Sequence, residues 1–150
     1  MRLETSIQIN SDTNRVWEVI TDIEAAKDRL SGIDHLEVLH QPTSGLVGTK
    51  WKETRTFHGK QSTEIMWITE AEEGKSYLTQ AESHGCVYQS GFSLEGTGSD
   101  TRLNFTFSGS PQTLFSKILS FLMTPLFIGS LKKVMEQDLR DIKAYIENKS

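Results

Sequence analysis

Residues 3 to 9 alternate Leu3, Thr5, Ile7 and Ile9 against Glu4, Ser6 and Gln8, the period of two that marks a half-buried strand. Ser11 and Asp12 then offer helix caps, and Val16, Trp17, Val19 and Ile20 supply an apolar helical face, so a short helix is expected. Thr21 and Glu24 have capping-box spacing and predict a second short helix running to Leu30. From Ile33 to Gly109 the pattern changes to strand after strand, punctuated by Gly45, Gly48, Gly59, Gly74, Gly85 and the cluster Gly96-Thr97-Gly98-Ser99-Asp100. Six strands fit, near 34–41, 49–58, 62–72, 76–83, 86–95 and 101–108, and the short turns between them imply antiparallel hairpins. The alternation is clearest at the end: Cys86, Tyr88, Ser90, Phe92 and Leu94 share one face, matched by Leu103, Phe105 and Phe107 on the next strand. The opposite faces carry Gln89, Glu95, Arg102 and Asn104, so one side of the sheet is wet and the other buried.

Beyond Pro111 the pattern is helical almost to the end of the chain. Its second half is amphipathic, with Leu131, Val134, Met135, Leu139, Ile142 and Ile146 on one stripe and Lys132, Lys133, Glu136, Gln137, Arg140 and Lys143 around it. Its first half differs. From Leu114 to Ile128, apolar residues that include Phe115, Leu119 and Leu122 cover nearly the whole circumference, more than one buried stripe needs. One face can pack on the sheet, and the other would meet a ligand, a second protomer or a membrane surface. Pro125 has no N–H to complete the ladder, so a break or kink is expected there, which makes the apolar half either a hinged lid or part of a bent core helix with no moving part. The segment is too short and too often interrupted by Ser, Thr and Lys to span a bilayer, although transient contact with a membrane surface is left open.

Together these elements predict an α+β fold in which one seven-stranded antiparallel sheet curves around a long C-terminal helix, with two short helices after strand 1. No repeat, low-complexity segment or linker divides residues 1–150, which fit a single domain. The net charge of −4 argues against a nucleic-acid partner, which would call for clustered Lys and Arg. Cys86 is the single cysteine, so no intramolecular disulfide can form, and MRLETSIQIN lacks the apolar run of a signal peptide. A cytoplasmic location is expected, and the sequon at Asn104 should go unglycosylated.

The order strand, two short helices, six antiparallel strands and long helix resembles the Bet v 1-like, START-related helix-grip fold. Five stretches sharpen the likeness toward the polyketide cyclase/dehydratase and lipid-transport group of the SRPBCC superfamily: VWEVITDIE at 16–24, VGTKWKETR at 47–55, ITEAEEGKSY at 68–77, GTGSDTRLNFTF, whose Gly98-to-Phe107 part follows Gly96, and DLRDIKAYIE at 138–147. The resemblance implies an internal apolar cavity that accepts a lipid, polyketide, quinone or similar hydrophobic molecule. It carries no catalytic motif onto this chain.

Candidate chemistry is sparse. His35, His40, His58 and His84 show no metal-ligand spacing, so neither a metal nor another cofactor is expected, and Cys86 reads as a small buried hydrophobe. Trp51, Glu53, Arg55 and Phe57 share one strand face by period two, while Lys50, Lys52, Thr54, Thr56 and His58 form a plainly polar opposite face. That contrast turns the Glu–Arg pair inward. The expected ligand wall is Trp51, Glu53, Arg55, Phe57, Met66, Tyr88, Phe92, Phe105 and Phe107 from the sheet, with Phe115, Leu119 and Leu122 from the helix. The leading expectation is a carrier of a hydrophobic molecule. A cyclase/dehydratase-type enzyme is the alternative, with Glu53 and Tyr88 as acid–base candidates and Arg55 polarising a carbonyl. A third reading is an interaction module docking through the apolar half of the helix, as a monomer with a partner or as a homodimer.

Overall fold

The computed structural model describes the backbone of residues 2–57, 59–83, 86–111 and 114–149, and of these the side chains other than those at 83, 86, 110–127 and 149. The chain runs β1 (Arg2–Ile9), α1 (Thr13–Thr21), α2 (Ala26–Arg29), β2 (Ile33–His40), β3 (Lys50–Phe57), β4 (Lys60–Glu72), β5 (Ser76–Ser83), β6 (Cys86–Thr97), β7 (Asp100–Pro111) and α3 (Leu114–Lys149). All seven strands join one antiparallel sheet in the order β1-β7-β6-β5-β4-β3-β2. This is the architecture expected from the alternation, and the paired faces are those the pattern implied: Phe92 lies opposite Phe105, and Leu94 opposite Leu103. The β6–β7 turn depends on Gly98, whose φ of 80° is left-handed and costs glycine nothing. Register shifts in β2 and in β4 between Ile68 and Glu70 bend those strands around the core.

The core forms where the C-terminal half of α3 crosses the concave face. Met135, Leu139, Ile142 and Ile146 are buried against Ile9, Val16, Ile20 and Leu103, each such side chain contributing about 1.5–3 kcal/mol by leaving water. Polar ties hold α3 over β1 and the α2–β2 corner. Lys143 donates to the Gln8 carbonyl at 2.7 Å, the Asn10 N–H donates to Glu147 at 2.8 Å, and both the N–H and hydroxyl of Ser31 donate to Asp141. Although partial burial opposes ionisation, those Ser31 bonds and one from Gln137 hold the Asp141 carboxyl below its ordinary range.

Two local expectations are corrected. Asp12 caps α1 by accepting from the Arg15 N–H at 2.8 Å, but the capping box at Thr21 and Glu24 does not form. Thr21 is still helical, and its hydroxyl donates back to the Trp17 carbonyl at 2.8 Å, a bond that competes with capping. The second helix therefore shrinks to the single turn Ala26–Arg29, with no side-chain cap. The break expected at Pro125 is also absent, because α3 continues from Leu114 to Lys149. One proline removes one ladder bond, and the turns on either side keep theirs. Among the described residues no helix is long and apolar enough to cross a membrane.

Candidate functional site

β3 turns its Trp51–Glu53–Arg55 face inward, as the contrast between its two faces implied. Trp51 and Glu53 are buried, whereas Lys52 on the other face pairs with Glu37 in solvent. The indole N–H of Trp51 donates to Glu53 Oε1 at 3.2 Å, and Arg55 Nε donates to Glu53 Oε2 at 2.7 Å. The two terminal nitrogens of Arg55 then reach α3, where they donate to the two oxygens of Asp138 at 3.0 and 2.9 Å. This forked pairing matches a planar guanidinium to a carboxylate. Two carboxylates thus share one cation. Burial alone would push the Arg55 pKa down, but Asp138 and Glu53 outweigh it and hold the guanidinium protonated well above its ordinary range. Burial pushes the Asp138 carboxyl up, and Arg55 offsets this only in part.

The cluster stands on the wall between two adjoining compartments, of about 220 and 380 Å³. Trp51, Phe92 and Phe105 line the first; Phe57 and Tyr88 line the second; Glu53, Arg55, Met66 and Phe107 border both. Every expected sheet residue therefore reaches the cavity. Phe115, Leu119 and Leu122 lie outside the described side chains, as do His58, His84 and Cys86. The aromatic wall is continuous: Phe92 stacks on Phe105 at 4.4 Å between centroids, Tyr77 tilts against Phe92 at 5.7 Å, and Trp17 meets Tyr77 edge-on at 6.1 Å. Burial raises the Tyr77 phenol far above its ordinary range, so it stays neutral and donates to the Ile20 carbonyl at 2.8 Å. His35 and His40 are exposed, and among the described residues no three His, Cys, Asp or Glu side chains converge as a metal would require.

Sequence reasoning missed Asp138, Tyr77 and Arg29. The signal for Asp138 was present. It stands three residues after Met135 and four before Ile142, which puts a carboxylate inside an apolar stripe. Gly32 was also missed as a site residue. A Cβ there would lie 2.9 Å from Arg55 Nη1, so a side chain at this position would press on the tip of the fork and the guanidinium would have to shift. Gly32→Ala is expected to displace the guanidinium from Asp138 and lower the unfolding free energy by about 1–3 kcal/mol. Gly129→Ala in α3, where among the described residues nothing lies within 4 Å of the new Cβ, should raise it by about 0.5–1 kcal/mol. Urea denaturation of both variants checks the contrast.

Known proteins fit this geometry. The profile described as polyketide cyclase/dehydrase and lipid transport matches residues 1–147. A START superfamily protein from Mycobacterium smegmatis superposes with a TM-score of 0.82 at 12% identity, covering 99% of each chain. The Zhui aromatase/cyclase from Streptomyces sp. R1128 gives 0.83 at 11% identity over 98% of this chain and 93% of that one. Ara h 8.0201 gives 0.69 at 14% identity over 99% and 96%. At such identities the likeness is one of fold, here the START and Bet v 1-like helix-grip fold. No curated protein sequence matches the chain significantly.

Proposed function

The chain belongs to the polyketide cyclase/dehydrase and lipid transport family, and from that premise we propose that its cavity binds a hydrophobic small molecule carrying a carbonyl or hydroxyl oxygen. The observation that supports this most is the state of Arg55. A guanidinium has five N–H donors, and three of them are spent on Glu53 and Asp138. Among the described residues nothing accepts from the other two, which are left for a ligand oxygen at a group that also borders the aromatic wall. Apolar burial would supply most of the affinity and Arg55 the orientation. Binding is preferred to catalysis because both oxygens of Glu53 already accept hydrogen bonds, from Trp51 and Arg55. The ligand would be carried, with a lipid, polyketide or quinone skeleton as the class of fit.

The test uses N-phenyl-1-naphthylamine as a fluorescent reporter, displaced by fluorenone or by fluorene, its analogue without the carbonyl. Saturable one-to-one binding of the reporter is expected, with fluorenone displacing it about tenfold more effectively than fluorene. Arg55→Met should abolish that preference, and Lys52→Gln, on the wet face, should preserve it. A protein that binds none of the three, or does not distinguish ketone from hydrocarbon, refutes the proposal.

A further inference from the structure

The cavity has a second buried cation that the Glu53–Arg55–Asp138 cluster does not use. Arg29 ends α2 and lines the first compartment near Ile20, Ile23 and Tyr77. It is only 9% exposed. One of its nitrogens, Nη1, donates to the Asp22 carbonyl at 3.0 Å, and its Nε–H, shielded from solvent, has no partner among the described residues. Among the described residues no carboxylate comes within ion-pair distance of it. Arg55, by contrast, has two.

A buried guanidinium with one carbonyl partner is under-satisfied both as a charge and as a fork of donors. Burial accordingly pushes its pKa down, although Tyr77, Asp22, Tyr145 and Asp28 pull the other way. Asp22 and Asp28 are exposed, and the Tyr77 hydroxyl is spent on the Ile20 carbonyl. Arg29, Tyr77 and the Glu53–Arg55 pair line the same compartment, which therefore has two cationic poles. At one pole a cation is already shared by two carboxylates. At the other a cation lacks an anion.

We infer that Arg29 binds an anionic oxygen group of the ligand, of the carboxylate, phenolate or sulfonate class, and so orients an amphipathic molecule within the first compartment. An anion would return the missing charge and accept hydrogen bonds from the terminal nitrogens of the guanidinium. This deepens the cavity-binding reading and rests on it.

The experiment compares 1-anilinonaphthalene-8-sulfonate with N-phenyl-1-naphthylamine, which has the same ring system without the sulfonate. Each is titrated by fluorescence into the full chain and into Arg29→Met, with Arg29→Gln used if the Met variant fails to fold by circular dichroism. Loss of the guanidinium should weaken the sulfonate dye at least about tenfold and leave the neutral dye within about twofold. The exposed neighbour change Lys27→Gln should alter neither. Equal effects on both dyes, or none on the sulfonate dye, overturn the role of Arg29 while leaving the cavity reading intact. Failure of both dyes to bind the unmodified protein saturably overturns both readings.

Discussion

Arg55→Met is expected to lower the unfolding free energy by about 3 kcal/mol at neutral pH, the lower end of the range for breaking a buried ion pair. The lower end applies because the Arg55 side chain is 23% exposed, whereas Glu53 and Asp138 are 10% and 7% exposed. The substitution keeps the apolar stem but leaves two buried carboxylates facing each other with no cation between them. The loss should depend on pH in a defined direction. The Asp138 carboxyl is already raised by burial, and without Arg55 it must rise further, since both the attraction and the forked bonds disappear. A carboxyl raised in the folded state stabilises that state fully below its unfolded value, near 3.9, and the contribution is lost as pH rises through the folded value. The deficit of Arg55→Met against the unmodified chain should therefore be largest at pH 7 and shrink toward pH 4. Urea unfolding at both pH values measures it. A deficit below about 1 kcal/mol at pH 7, or one that does not change with pH, would mean that the three groups do not share a buried site.

Glu53→Gln should have the second large effect, because both partners of Glu53 are donors. Trp51 Nε1 and Arg55 Nε each require an acceptor, and an amide offers one oxygen and one NH₂. One donor must then face another donor inside the protein, at a cost of about 1–3 kcal/mol. The same variant separates carrier from catalyst. It nearly preserves shape but cannot accept a proton, so a cyclase or dehydratase relying on Glu53 would lose turnover while retaining most of its affinity for a neutral ketone such as fluorenone. A carrier would show a change in binding alone, and that is the expected result. Consumption of a polyketide-type substrate by the unmodified chain, abolished in Glu53→Gln, would reverse the assignment.

The alternation at Leu3–Ile9 and Tyr88–Leu94, the turn glycines and the stripe from Leu131 to Ile146 determined the seven strands, the long helix and their order. These are local signals, since a strand or helix facing a single core must repeat its apolar residues with the period of its own backbone. The inward face of β3 was legible for the same reason, because Lys50, Lys52, Thr54 and Thr56 left only one face that could be buried. The short α2 was not legible. Thr21 can cap one helix or bond back within another, and only the packed chain decides which. Nor was the site complete in the sequence. Asp138 is 83 residues from Arg55, and Gly32 looks like any turn glycine until the guanidinium tip lies against it. The partnerless Nε of Arg29 is a fact about neighbours that are missing. Local periodicity reports which side of an element is buried. Which buried charges meet, and which is left without a partner, depends on how α2 and α3 come down on the sheet, and only the tertiary structure decided that.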